Sequence, residues 1–350
     1  MPNLFRSTIH PSLLRTLIAL TALVLLLILT SWPLKLLQPV APDTEVVTDQ
    51  MRTAAQVPPD TCLNFIQDSS LYREGWDTLR QPQFWRQIMA LPPDIVLVNI
   101  AATREIVDTL SRFNAIFLSG RLKKAYEDST KDALGMPRRE ELYFTHGRNH
   151  FYQFQAVMPD IDRAIGVFEE EGVDPWYAQA ILLIESPGHL QVSVDGAYGA
   201  FQLMKGVARE VGLVVNDTLD EREDFEKSAM GAARLIQNTC LPHTRELCQA
   251  YELDYEETDL WFRLLVMHVY HAGIRNVRRA IRKASPETGG QQVILDLWQT
   301  KSRRFGNASQ NYSQIALASL LTLDALARDQ DLRCPPPTAP DTADTLDVSL

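Results

Sequence analysis

Positive charge is what this sequence most lacks. Across 350 residues, 34 Lys and Arg face 44 Asp and Glu, giving a formal net charge of −10. A nucleic-acid partner needs a basic face to neutralise phosphates, so none is expected. Cysteine is also scarce, with only Cys62, Cys240, Cys248 and Cys334. His243 lies between two of them, but no second closely spaced pair completes a zinc site, and neither a metal nor an organic cofactor is implied. The second half has neither an internal repeat nor an alternating apolar and polar run of the strand type. Apolar residues, by contrast, make up 45% of the chain, enough for a substantial core in a chain longer than one typical domain.

The first residues hold a long run that is both uncharged and almost wholly apolar. Leu13 to Leu37 is mostly Leu, Ile, Val and Ala, and no charge falls between Thr16 and Trp32. Such a run is long enough to begin spanning a bilayer. Arg6, His10 and Arg15 precede it, which by the positive-inside rule keeps the amino terminus cytoplasmic and exports everything after about residue 38. No small-x-small cleavage site follows Trp32, and no lipobox cysteine, so an uncleaved anchor is expected over residues 1–37. All four cysteines would then lie in an oxidising compartment. Cys240 and Cys248 flank Leu-Pro-His-Thr-Arg-Glu-Leu, read as a short loop, and are the expected local disulfide, with Cys62 and Cys334 left to join the ends of the folded region.

Residues 38–60, rich in proline, threonine and acids, read as a tether. Residues 61–157 are expected to form a largely helical accessory region, with amphipathic pieces at 84–89 and 105–110. Within it the β-branched run Ile95 to Ile100 is open to a buried strand. Residues 158–330 read as a mainly helical domain. Its expected helices open at Pro159-Asp160, at Asp174, and over 204–212, 225–239, 260–271 and 312–328. The stretch 331–350 has too few apolar residues to fold and reads as a disordered tail.

Glu185 draws the most attention. The run Asp174 to Glu185 has an N-cap acid, a proline in the first turn and apolar residues on every face, so it should be a buried helix. Ser186-Pro187-Gly188 should end it just past the carboxylate. Apolar surroundings and the negative helix end both disfavour the charged form, which raises the pKa and makes a proton donor near neutral pH. Gly196 and Gly199 follow, suited to positive φ or close approach of a ligand, and then Gln202 with a donor and an acceptor to offer. Asp195, beside a glycine, is open to a turn or to a second carboxylate.

The order Glu185-Ser186, then Ser193 and Gly196-Ala197, then Gly199-x-x-Gln202-Leu203-Met204 resembles the soluble lytic transglycosylase domain of glycoside hydrolase family 23, which is similar to goose-type lysozyme. Val269-Tyr270-His271-Ala272-Gly273, where the family has Ala-Tyr-Asn-Ala-Gly, and Asn311-Tyr312 occur in the family's order. The resemblance covers roughly residues 158–328. The spacing from Glu185 to Gln202 is one residue short, Ala200-Phe201 replaces Leu-Met, and residues 307–310 lack the Glu-Thr that often precedes the last tyrosine.

The resemblance implies a lysozyme-like helical fold acting on peptidoglycan glycan strands. It makes Glu185 the acid and then the base, and it places Ser193, Gln202, Met204, Tyr270 and Tyr312 around the sugar. With the anchor, the expected location is the inner membrane, single-pass, with the catalytic domain on the periplasmic side. A goose-type hydrolase using Asp195, and a catalytically impaired glycan binder suggested by His271, are the alternatives.

Overall fold

The computed structural model describes residues 64–185 and 196–329. The apolar run 13–37, the tether, Cys62, Ser193, Asp195, Cys334 and the tail lie outside the described residues. No helix among the described residues is long and apolar enough to cross a membrane.

The first half opens with a single turn, α1 (Ser70–Arg73), and then α2 (Arg80–Ala90), which buries Phe84, Trp85, Ile88 and Met89 at helical spacing. An antiparallel sheet follows. Its central strand is β1 (Ile95–Ile100), the strand left open by the sequence, flanked by β2 (Ile106–Ser111) and β3 (Leu142–His146). The piece at 105–110, expected to be helical, is therefore mostly strand. Arg104, at φ +60, turns the chain straight back onto β1. Ile106, Val107 and Thr109 are β-branched and fit the pleated surface better than a helix turn. Two further helices, α3 (Arg112–Phe117) and α4 (Gly120–Ala133), join β2 to β3. The accessory region is thus mixed α and β, not largely helical.

The second half is helical almost throughout. Its first helix, α5 (Phe154–Glu170), starts ahead of Pro159, which lies inside it. Burial of Phe154, Val157 and Met158 on the face shared with Ile161 explains this. Each buried side chain is worth about 1.5–3 kcal/mol, which together outweighs the roughly 3 kcal/mol cost of an interior proline. Then come α6 (Trp176–Glu185) and a hairpin of β4 (Ala197–Tyr198) with β5 (Leu203–Met204). The chain continues through α7 (Lys205–Glu210), α8 (Phe225–Leu235), α9 (Leu241–Ala250), α10 (Leu260–Ala272), α11 (Ile274–Ala284), α12 (Gln291–Gln299) and α13 (Asn307–Asp329).

Cys240 and Cys248 are not bridged; both are free and buried. The segment expected to loop between them is the start of α9, which continues from α8 through a π turn at Ile236–Cys240. Eight residues along a helix rise about 12 Å, whereas bridged Cα atoms lie at most about 7 Å apart. Pro242 sits in the first turn of α9. Its ring crowds the carbonyl four residues back, and the wider π turn just before it gives that carbonyl room.

Helix α6 occupies the middle of the core, with every residue from Trp176 to Ile184 buried. The two halves of the chain share that core. Trp85 Nε1 donates to Gln314 Oε1 at 3.0 Å, and the Arg104 guanidinium donates to Asn307 at 3.0 Å and to Asn311, so the sheet is tied directly to α13.

Candidate active site

The amino-terminal end of α6 is clamped by charge. Asp174 accepts the Trp176 N–H at 3.0 Å, as an N-cap does. Arg263 of α10 reaches Asp174 at 2.7 Å and Asp68 at 3.3 Å, and Asp68 also accepts the Trp176 indole N–H at 3.0 Å. Gln179 bonds both the N–H and the C=O of Ile66, at 3.0 and 2.9 Å. A helix fixed this firmly at its start holds its last residue, Glu185, in a defined place.

Glu185 is half-buried. Burial pushes its carboxyl up to about 7, against a smaller opposing effect of Tyr312. The Tyr312 hydroxyl donates to Glu185 Oε1 at 2.8 Å from within α13, where the residue is 3% exposed. Among the described residues, desolvation and the Tyr312 phenol are what act on the ionisation of Glu185. At neutral pH the group is thus poised between its two forms and can both give and take a proton.

Two further phenols feel its charge. Tyr270, on α10, has a pKa raised by burial and then by Glu185, and its hydroxyl donates to the Phe201 carbonyl at 2.6 Å. Tyr152 is pushed up to about 12, first by burial, with Glu185 adding to it. Sequence reasoning passed over Tyr152, which no local pattern distinguishes from a core tyrosine. His271 stacks on the Tyr312 ring, centroids 4.3 Å apart and planes 17° apart. Its edge is exposed, yet desolvation by the protein packed round it lowers its pKa to about 4, so at neutral pH the ring carries no charge. His268, one turn earlier and fully buried, is lowered to about 3 and takes part in a bond with Ser313 at 2.8 Å. Neither imidazole competes with Glu185 as the titrating group at neutral pH.

The β4–β5 hairpin is tied to this cluster by the Tyr270 hydroxyl at the Phe201 carbonyl. Gly199 sits at φ +83, and a Cβ there would lie 1.9 Å from the Arg222 carbonyl, so the position demands glycine. Gln202 also takes positive φ, +48, and its Nε2 donates to the Gly199 carbonyl at 2.9 Å. A non-glycine residue in that region stores strain of about 1–3 kcal/mol. Arg222, also passed over in the sequence, pairs with Asp220 at 2.7 Å and donates to the Gly196 and Leu203 carbonyls at 3.0 and 2.9 Å. It fastens both ends of the hairpin. Phe201 is fully buried while Met204 is exposed.

The fold therefore gathers Glu185, Tyr270 and Tyr312 from three helices around one carboxyl, with Gln202 and Met204 on the hairpin whose Phe201 carbonyl Tyr270 holds. Ser193 lies outside the described residues. Residues 165–292, from within α5 to the start of α12, match the family model described as the transglycosylase SLT domain. The chain carries such a lysozyme-like domain. A match to the SLT family supports, at family level, a peptidoglycan transglycosylase-type function. Glu185, Gln202 and Tyr270 fall inside the matched span and Tyr312 beyond it, brought back by α13. No curated protein matches the chain.

Proposed function

We propose that the protein is a lytic transglycosylase that breaks the β-1,4 bond between N-acetylmuramic acid and N-acetylglucosamine and leaves 1,6-anhydromuramoyl ends. The observation that carries this reading is the Glu185 carboxyl, raised to about 7 and bonded to Tyr312 inside an SLT domain. Protonated Glu185 gives its proton to the glycosidic oxygen as the bond from that oxygen to muramoyl C1 breaks. The muramoyl C6 hydroxyl then attacks C1 and loses its proton to the Glu185 carboxylate, which restores the acid. No water is consumed.

An intramolecular nucleophile removes the need for a second carboxylate, since a well-placed hydroxyl on the same sugar acts at an effective molarity of about 10⁵ to 10⁸ M. Tyr312 steadies the carboxylate between the two proton transfers. Tyr270 holds the hairpin through Phe201, and Gln202, Met204 and Ser193 line the sugar. The run 13–37 anchors the enzyme in the inner membrane with the SLT domain on the periplasmic side; membrane fractionation with and without residues 1–37 checks that placement.

Mass analysis of products from purified peptidoglycan tests the chemistry. Anhydromuramoyl ends are expected. Reducing ends would replace this mechanism by hydrolysis, and no product at high enzyme concentration would make the domain a glycan binder.

A further inference from the structure

The accessory region exposes what a folded chain ordinarily hides. Helix α3 buries no residue at all. Phe113, Ile116 and Phe117 are 69%, 63% and 58% exposed, and Leu122, at the start of α4, is 63% exposed. The Phe113 and Phe117 rings meet edge to face with centroids 4.7 Å apart, so they project as one ridge. Contiguous exposed apolar side chains of this size mark a surface that meets something else. Basic residues interleave with them: Arg112, Arg121, Lys123 and Lys124.

Beside this ridge lies a cleft of about 710 Å³, whose lining includes Arg104, Arg112, Lys123, His146, Arg148 and His150 and no acidic residue. In a chain of net charge −10 this is the reverse of the background. Lys123 has Glu127 at 3.9 Å, but Arg104, Arg112 and Arg148 pair with no carboxylate among the described residues. Arg104 is the most telling. It is 3% exposed, its guanidinium donates only to the amide oxygens of Asn99, Asn307 and Asn311, and its Nε has no partner. Burial lowers its pKa only to about 10, so it is charged at neutral pH. The rings of Phe84, Trp85 and Tyr143, 5.7, 5.7 and 5.2 Å from its Cζ, offset part of the cost of burying this charge, and an anion in the cleft would supply the counter-charge that is still missing.

We propose that this face docks on a membrane surface carrying anionic phospholipid, with Phe113, Ile116, Phe117 and Leu122 entering the acyl boundary and the basic cleft taking lipid phosphates. The two observations call for one amphiphile. A soluble polyanion would satisfy the cleft and leave the ridge wet. A second copy of the chain would cover the ridge but bring no counter-charge to Arg104, Arg112 and Arg148 in the cleft, while Lys123 and Lys124 already face Glu127 and Asp128. An apolar ridge with a basic rim on an anionic bilayer satisfies both.

Hydrogen exchange of the full chain tests this, compared without lipid, with phosphatidylcholine vesicles, and with vesicles that also contain phosphatidylglycerol. An anchor at 13–37 would insert into either vesicle, so the informative peptides are 112–124 and 142–150. Exchange there is expected to slow on the anionic vesicles only, and to recover at high salt. Phe113→Ser with Phe117→Ser should abolish the slowing while exchange elsewhere and cleavage of soluble peptidoglycan fragments stay unchanged, because neither side chain is buried. Each of Arg112→Gln and Lys123→Gln should weaken docking about fivefold. Unchanged exchange at 112–124 on both vesicles overturns the proposal. So does slowing produced by soluble muropeptides without lipid, which assigns the cleft to substrate, or by protein concentration alone, which assigns the ridge to a second copy.

Discussion

Replacing Glu185 by glutamine should abolish cleavage and, at the same time, make the protein more stable in alkali. Glutamine keeps the shape and still accepts the Tyr312 hydroxyl bond, but it has no proton to give and never ionises. In the native protein the Glu185 carboxyl titrates near 7 instead of 4.5. A group raised on folding contributes stability that is fully present below its unfolded pKa and lost as pH rises through its folded one. Wild type should therefore lose stability relative to Glu185→Gln from about pH 4.5 to just above pH 7, and the difference should then level off. A shift of that size corresponds to roughly 3 kcal/mol, reduced towards about 2 by the water that a half-buried carboxyl keeps. Denaturant unfolding of both proteins at intervals from pH 4 to 9 measures it directly. Curves that stay parallel across the whole range would refute the argument, because a carboxyl indifferent to folding cannot be held protonated by burial.

Other perturbations follow from the same geometry. Tyr312→Phe removes the phenol that opposes the rise at Glu185, so the alkaline limb of the pH profile of kcat/KM should move to higher pH; an unmoved limb would show that the 2.8 Å bond does not tune the acid. Gly199→Ala forces a Cβ to 1.9 Å from the Arg222 carbonyl at a positive φ, and should cost about 3 kcal/mol or more in denaturant unfolding. Asp174→Ala removes the α6 cap and one partner of Arg263, for a loss of about 1–2 kcal/mol in the same measurement. The Cys240 and Cys248 thiols, both pushed up to about 12 by burial, should resist iodoacetamide in the native protein and react once it unfolds, as peptide mapping will show.

Much of the helical half could be read from the sequence because its signals are local. Asp174, Pro175 and the Ser186-Pro187-Gly188 break define α6 without reference to anything distant. The meeting of Tyr270 and Tyr312 at Glu185 could not be read that way, since 85 and 127 residues separate them from the acid; only the family's motif order pointed to it. Arg222 was missed because its work is with carbonyls of a hairpin some twenty residues away. Local signals also misled. The segment between Cys240 and Cys248 read as a loop, but a π turn lets the helix run on past Pro242. Residues 105–110 showed helical spacing while their β-branched composition favoured a strand, and pairing with β1 decided the matter. The basic cleft joins Arg104, Arg112, Lys123 and Arg148 from separate segments, so only folding brings it into view.

Whether one carboxyl keeps its proton near neutrality is the point on which the chemistry turns, and nuclear magnetic resonance can watch it do so. With ¹³C-labelled glutamate and the Glu185→Gln variant for assignment, the Glu185 carboxyl carbon should titrate at about 7. A midpoint near the ordinary glutamate value, about 4.3, would mean that Glu185 is ionised throughout the working range and that the proton for the leaving sugar comes from elsewhere.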